Sequence, residues 1–195
     1  MLTKDLIRGS LVVVVLTLLL GLAYPLAMTG IAQVAFSGRA NGSLIKQDGK
    51  VVGSTLLGQA RKGEGYFVPR PSATGYSASV TYFGNHGPNQ NSTMYLTRQN
   101  LAAYLKREQP YDDGLTAEQV PVDAATFSAS GVDPDISKAN AAIQAHRVAA
   151  VRHLPLDQVD ALVKQHTDGR GLGVFGEPGV NVTELNRALD QVTAR

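Results

Sequence analysis

An uncharged, mostly apolar run near the amino terminus constrains this chain more than any other feature. Residues 9–38 contain no Asp, Glu, Lys, Arg or His. A helix rises about 1.5 Å per residue, so roughly 20 residues cross a hydrocarbon core of about 30 Å. Because a segment in lipid must satisfy its own backbone hydrogen bonds, the run predicts a transmembrane helix over residues 11–36. Pro25 removes one backbone donor near its middle, which favours a neighbouring helix as a packing partner.

The main alternative for this run is a cleaved signal peptide. Lys4 and Arg8 would be its charged region, and residues 11–20 would be its apolar core. The apolar character continues well past Leu20, and no clean Ala-x-Ala cleavage site follows it. A retained helix is therefore the favoured interpretation.

The orientation of the helix is not decided by the basic residues at its two ends. Two basic residues on the short side face three at the start of the long side. Because large domains cross membranes despite their charge, we expect the amino terminus inside and the domain outside. This divides the chain into a cytoplasmic tail over residues 1–10, a transmembrane helix over 11–36 and an extracytoplasmic domain over 37–195. The bacterial cytoplasmic (inner) membrane is the expected location.

Composition narrows what the part after the helix can do. Its length suits one compact domain. The chain has 18 Lys and Arg against 16 Asp and Glu, interspersed, so no basic surface for nucleic acid is expected. Cys is absent, which excludes disulfides and thiolate chemistry.

Turn residues and hydrophobic periodicity predict an α+β domain that begins with a β-hairpin. Residues 42–47 and 50–57 flank Asp48-Gly49, a pair that tolerates the positive φ angles of a tight hairpin turn. Over residues 63–91 the chain is rich in Gly, Ser, Asn and Pro, and neither the helical nor the strand period holds. That stretch is expected to be a long loop, either ordered or disordered.

Helices are predicted to dominate the C-terminal half. The four expected helices run from near Ser92 to Pro110, from an entry at residues 133–137 to about His153, from Pro155 to Gly169, and onward from the capping-box pair Asn181 and Glu184. Residues 169–173 are then expected to form a turn between the last two helices.

Each pattern that could carry chemistry has a simpler interpretation. His146 and His153 lie seven apart on a predicted helix, and with His86 or His166 they could bind a metal, but isolated surface histidines explain them better. A turn and helix cap likewise explains Asp133 and Asp135 better than a cation site does. No Gly-x-Ser-x-Gly elbow surrounds a serine. Residues 169–173 lack the spacing of a phosphate-binding loop.

Motifs from nearly the whole chain together resemble one family. In chain order they are Gly21 with Tyr24-Pro25-Leu26, Ala40-Asn41-Gly42-Ser43-Leu44-Ile45, Val52-Gly53-Ser54, Leu57-Gly58-Gln59, Tyr66-Phe67, Arg70-Pro71-Ser72-Ala73, Val120-Pro121-Val122, Ser128-Ala129-Ser130-Gly131-Val132-Asp133 with Ile136, Gln144 with Arg147-Val148-Ala149, Gly176-Glu177-Pro178, Val180-Asn181 and Glu184-Leu185-Asn186. They are similar to the C subunit of Kdp-type potassium-transporting P-type ATPases. Residues 82–91 replace a Ser/Gly-rich loop that usually ends in Asn-Pro, and Gly179 stands where Arg is common.

The resemblance implies an accessory, noncatalytic subunit of a high-affinity potassium import complex. The implied partners are a channel-like potassium-translocating subunit, an ATP-hydrolysing P-type pump subunit and a small membrane subunit, together with the lipid bilayer. The complex uses ATP, Mg²⁺ and K⁺, and this chain is expected to bind no cofactor directly. The family role of catalytic chaperone, which raises the ATP affinity of the pump subunit, is also implied. A domain outside the cell meets no ATP, so an assembly role is favoured.

No catalytic, cofactor-binding or metal residue is expected. The candidate interface or structural residues are Tyr24, Pro25, Gln59, Phe67, Arg70, Pro71, Ser72, Asp133, Gln144, Arg147, Glu177, Pro178, Asn181 and Asn186. Arg70, in a stiff turn between two prolines, ranks first, and Gln144 and Arg147 on one helix rank second.

Two other functional classes stay open. A membrane-anchored extracytoplasmic enzyme would need clustered titratable residues with shifted pKa values in a cleft. A stand-alone binding module would act without partners. Only a subunit would bring large membrane proteins with it during purification in mild detergent.

Overall fold

The computed structural model describes residues 2–77, 79, 80 and 85–193. The chain forms two compact units, one up to Val52 and the other from Gly53 onward. Part of the divergent loop at residues 82–91, including Tyr82 and Phe83, lies outside the described residues.

The first unit is mainly helical up to Ala40. Its elements are α1 (Leu2–Leu18), a π-helical turn (Leu19–Ala23), α2 (Tyr24–Ala35) and the short α3 (Ser37–Ala40). No residue of these elements is buried. The continuous helix Leu2–Ala35 is long and apolar enough to cross a membrane, in agreement with the sequence prediction.

The π-helical turn lies immediately before Pro25. The amide of Tyr24 donates to the carbonyl of Leu19, five residues back instead of four. Pro25, the second residue of α2, has no N–H to donate, and in a regular α-helix its ring would clash with the carbonyl four residues back. The wider turn therefore accommodates the proline within one continuous helix.

The predicted hairpin is confirmed. Strand β1 (Leu44–Gln47) pairs with β2 (Lys50–Ser54) in a two-stranded sheet. Asp48 has φ 51° and Gly49 has φ 76°, so both central residues of the turn are left-handed. Turns of this type match the twist of the flanking strands, and Asp-Gly supplies them at low steric cost.

The second unit carries most of the helices. Its helices are α4 (Asn91–Glu108), α5 (Val122–Ala125), α6 (Lys138–Arg152), α7 (Leu156–Gln165) and α8 (Val182–Thr193), with 3₁₀ turns at Gln109–Tyr111 and Ala117–Gln119. Ser137 caps α6 by accepting from the amide of Asn140, and His153 ends it in the left-handed region. These features fall where the sequence predicted helix boundaries.

A three-stranded antiparallel sheet was not predicted. It consists of β3 (Asp135–Ile136), β4 (Thr167–Asp168) and β5 (Gly179–Asn181), in the order β3-β5-β4. The prediction that Gly169 ends a helix is wrong, because α7 ends at Gln165 and the chain then enters β4. The turn over 169–173 accordingly joins two strands rather than two helices.

The main apolar core of this unit lies between α6, α7, α8 and the central strand β5. Its buried members are Phe67, Ile136, Ala141, Ala145, Val148, Ala149, Val159, Val180, Val182, Leu185 and Leu189. Phe67 comes from the predicted loop and is fully buried, so this part of the loop is ordered.

Candidate functional site

Residues 64–68 form the structural centre of the second unit, although they belong to no helix or strand. An unpaired backbone group inside a protein is costly, so each one needs a partner. Side chains of α6 and α8 supply these partners. We use the name polar network for residues 64–68 together with the side chains hydrogen-bonded to them or to one another, which are Tyr104, Glu108, Asp123, Ser137, Asn140, Gln144, Arg147 and Asn186.

Gln144 and Asn186 bind the backbone at the end of this segment, as a neighbouring β-strand would. The Gln144 side chain accepts from the amide of Val68 at 2.8 Å and donates to its carbonyl at 3.0 Å. The Asn186 side chain likewise accepts from the amide of Phe67 and donates to its carbonyl, both at 2.8 Å. A carboxamide presents one donor and one acceptor side by side, which matches the edge of a peptide group.

Arg147 holds the beginning of the segment and pairs with Glu108. Its guanidinium donates to the carbonyls of Glu64 and Tyr66 and to Oε1 of Gln144. Its Nε donates to Oε2 of Glu108 at 2.9 Å, and both side chains have 0% exposure. Such a pair is compatible with the fold only when hydrogen bonds satisfy the remaining polar atoms of both ions, as they do here.

A second branch of the polar network connects α4, α5 and α6. Asn140 accepts from the Tyr104 hydroxyl at 2.9 Å and donates to Asp123 at 2.9 Å. Asp123 also accepts from the amide and hydroxyl of Ser137. Burial, reinforced by the Glu108 charge, raises the pKa of Tyr104 above its ordinary value. Tyr104 is therefore a neutral donor at physiological pH.

Arg70 lies in a separate cluster that ties the loop to the segment before β3. Its guanidinium donates to Asp133 at 3.2 Å and to the carbonyl of Phe127 at 3.3 Å. Pro71 accepts from the amide of Ser128, and Ser72 donates to the carbonyl of Gly131 at 2.6 Å. Arg70 thus makes its contacts inside the domain, and its role as an interface or structural residue stays a prediction.

The remaining candidates from the sequence are scattered. Gln59 packs against Gly53, where a Cβ atom would collide with its side chain. Asn181 donates to the carbonyl of Thr55 and accepts from the amide of Glu184, which confirms half of the expected capping box. Glu177 pairs with Arg170 on the surface, and Pro178 leads into β5.

Tyr24 and Pro25 lie in the first unit, and both are exposed. They occupy the start of α2, directly after the π-helical turn. The candidates from the sequence therefore lie in both units.

The histidines do not assemble a metal site in the described part of the chain. His146 and His153 are exposed on α6 and at its end. Within residues 2–77, 79, 80 and 85–193, no group of three His, Asp or Glu side chains could hold a metal ion. Asp133 accepts from the amide of Asp135 at 3.1 Å, which is the turn geometry that the sequence favoured.

Asp135 is the carboxyl group whose environment disfavours ionisation. Burial, followed by repulsion from Asp133 and Asp168, raises the pKa of Asp135 above its ordinary value. A folded-state pKa above the unfolded value means that the folded state binds the proton more tightly. The group therefore favours folding at low pH, and this stability is lost as the pH rises through the unfolded pKa of about 4 towards the raised value.

Replacing Asp135 with Asn should raise the free energy of unfolding at pH 7 and flatten its decline above pH 4. The neutral amide removes both the desolvation cost and the repulsion. Asp133→Asn is the matched control with the opposite sign, because Asp133 pairs with Arg70. Urea denaturation of the full chain in detergent at several pH values measures both variants. A lower stability for Asp135→Asn at pH 7 would contradict this interpretation of the site.

Glu108 and Asn140 are important members of the network that sequence reasoning missed. One feature of the sequence could have identified Glu108: it lies in the last turn of α4, where the helix dipole favours cations. An acidic residue there needs a specific partner. No feature of the sequence identified Asn140, since Asn is an ordinary residue in the first turn of a helix.

Comparison with known proteins gives a consistent result over nearly the whole chain. The family model described as KdpC, the K⁺-transporting ATPase c chain, matches residues 6–191. A potassium-transporting ATPase KdpC subunit from Mycobacterium tuberculosis (strain H37Rv) is 42% identical over 191 residues, which cover 97% of this chain and 99% of that protein. The subunit of the same name from Caulobacter vibrioides (strain NA1000 / CB15N) is 51% identical over 177 residues, 89% of this chain and 86% of that protein.

Proposed function

This chain belongs to the KdpC family, the c chain of K⁺-transporting ATPases, and from that premise we propose that it is an accessory, noncatalytic subunit that supports assembly of the complex. Its proposed partners are the channel-like potassium-translocating subunit, the ATP-hydrolysing pump subunit and the small membrane subunit. Its proposed place is the bacterial cytoplasmic membrane, with the second unit on the extracytoplasmic side.

The observation that carries this proposal is the exposed apolar helix Leu2–Ala35. None of its described residues is buried within the chain, although it is rich in Leu and Val. A surface of this kind is stable only in lipid or against other membrane helices. A Cβ atom at Gly21, inside the π-helical turn, would meet only Thr17 at 3.9 Å, so another helix could approach closely there.

The polar network supports a structural rather than a chemical role for the second unit. Gln144, Arg147 and Asn186 direct their polar atoms to backbone groups of residues 64–68 or to other network side chains. A residue used in this way holds the fold and is not free to bind substrate. The effect on ATP affinity that the family resemblance implies would then act through contacts between subunits.

Purification of the tagged full chain in mild detergent tests the proposal. We expect large membrane proteins to co-purify with it in a fixed ratio. Replacing residues 11–36 with an unrelated apolar helix should lower the yield of complex severalfold, because packing drives helix association in lipid and hydrophobicity alone does not. Recovery of the native chain alone would favour the stand-alone binding module.

Protease accessibility tests the proposed orientation. Protease added to right-side-out spheroplasts should digest the second unit, because in this orientation it faces the medium. A mature amino terminus at residue 1 or 2 is expected as well, since the helix is retained. Protection of the domain, or a mature chain that starts after Ala23 or Ala32, would contradict the proposal.

A further inference from the structure

The turn between β4 and β5 exposes three large apolar side chains at its tip. Leu172 is 92% exposed, Val174 is 69% exposed and Phe175 is 67% exposed. We call residues 171–175 the apolar tip. Apolar side chains scattered singly on a surface need no explanation, but three on one short turn form a patch.

The backbone of the apolar tip is already satisfied within the turn. Gly171 and Phe175 exchange two hydrogen bonds, of 2.8 and 2.9 Å, and the amides of Gly173 and Val174 donate to Arg170 and Gly171. Burying the tip against an apolar surface therefore leaves none of these four amides without a partner. The same bonds hold the turn in one shape, which reduces the entropy lost on docking.

The charges beside the apolar tip disfavour its binding to a lipid surface. Residues 168–177 contain Asp168, Arg170 and Glu177, so two carboxylates accompany one guanidinium. Arg170 donates to both carboxylate oxygens of Glu177 at 2.9 Å. The tip thus offers anionic headgroups a net negative flank whose only cation is already paired.

We infer that the apolar tip docks into an apolar recess with a basic rim on another subunit of the ATPase. This inference rests on the proposed function, since it requires assembly with partners. The apolar residues would fill the recess, and the basic rim would face Asp168, because Glu177 already has Arg170 as its partner. Interfaces gain most of their affinity from such central apolar residues inside a polar rim.

Cysteine labelling tests the inference cleanly because the chain has no Cys of its own. Val174→Cys is the test variant, and Val122→Cys is the matched control, since Val122 is 77% exposed on α5. Each full-length variant is treated with a water-soluble maleimide, alone in detergent, alone in phospholipid vesicles, and within the purified complex. A gel then separates the 20.6 kDa chain from other labelled proteins.

We expect Val174→Cys to react about tenfold more slowly in the complex than in the chain alone, with no change for the control. Three results would overturn the inference: unchanged labelling in the complex, slowing in lipid vesicles alone, or equal slowing of both variants. Subunit ratios measured on the same samples separate this failure from failure of the proposed function. An intact complex with a reactive tip would reject only the docking.

A second variant tests whether the tip contributes to assembly without disturbing the fold. Leu172 has φ 50°, a left-handed conformation that Asn adopts more readily than Leu. Leu172→Asn should therefore fold normally and still lower the retention of partner subunits about tenfold during washing. Retention equal to that of the native chain would contradict the docking.

Discussion

Replacing Arg147 with Met should lower the free energy of unfolding by about 3–5 kcal/mol, the cost of removing one partner from a buried ion pair. Among the described residues, Glu108 would then keep Arg107, at 2.7 Å, as the one cationic partner of its buried carboxylate. The carbonyls of Glu64 and Tyr66 would lose a donor as well. Met fills a similar volume, so the loss of charge and hydrogen bonds outweighs any change in packing.

Arg170→Met is the matched control for this prediction. Its pair with Glu177 has the same nitrogen–oxygen distance, 2.9 Å, but is exposed to solvent. Exposed pairs contribute about 0.2–1 kcal/mol, so the control should change stability by no more than that. Arg147→Lys should be intermediate, because it keeps the charge and cannot form the same set of hydrogen bonds.

Urea denaturation of the full chain in detergent, followed by tyrosine fluorescence, measures these variants. The chain has no Trp, and six of its seven Tyr residues belong to the second unit, so the signal reports mainly on that unit. If Arg147→Met and Arg170→Met were equally mild, the polar network would not be the structural centre of the domain.

Short sequence patterns predicted those turns and helix starts that depend on interactions between neighbouring residues. Asp48-Gly49 predicted the hairpin because few dipeptides accept two positive φ angles. Ser137 and Asn181 predicted helix starts because a short polar side chain can accept from the amide three residues later.

The three-stranded sheet could not be predicted because its strands are too short. Strands β3 and β4 have two residues each, which is too few for an alternating pattern. Their partner β5 lies between them in the sheet and after both in sequence. Only long-range pairing defines the sheet, so Gly169 looked like a helix end.

The sequence identified the candidate residues but could not predict which residues they contact in the fold. Phe67 and Asn186 are 119 residues apart, and their contact joins a loop to the last helix. No spacing rule connects such positions. Arg70 was identified by its neighbouring prolines, yet its partner Asp133 lies 63 residues later.

The complex should lose most of its potassium-stimulated ATP hydrolysis when this chain is omitted. An assembly subunit acts through the presence of its surfaces, and no single titratable side chain of it should matter. Single replacements of His86, His146, His153 and His166 by Gln, and of Asp133 and Asp135 by Asn, should leave turnover within about threefold, a barrier change below roughly 1 kcal/mol.

Asp133→Asn is the most demanding of these variants. It breaks the ion pair with Arg70 and should weaken the fold, and yet it should preserve turnover in complexes that remain intact. Turnover must therefore be normalised to complexes with native subunit ratios. This normalisation separates a loss of protein from a loss of chemistry.

The most direct measurement is potassium-stimulated ATP hydrolysis per intact complex, compared among the native complex, the complex without this chain and the six single variants. We predict a large loss without the chain and near-native turnover for every variant. If one replacement reduced turnover a hundredfold while the subunits co-purified in unchanged ratio, the chain would take part in the chemistry, and the noncatalytic account would be wrong.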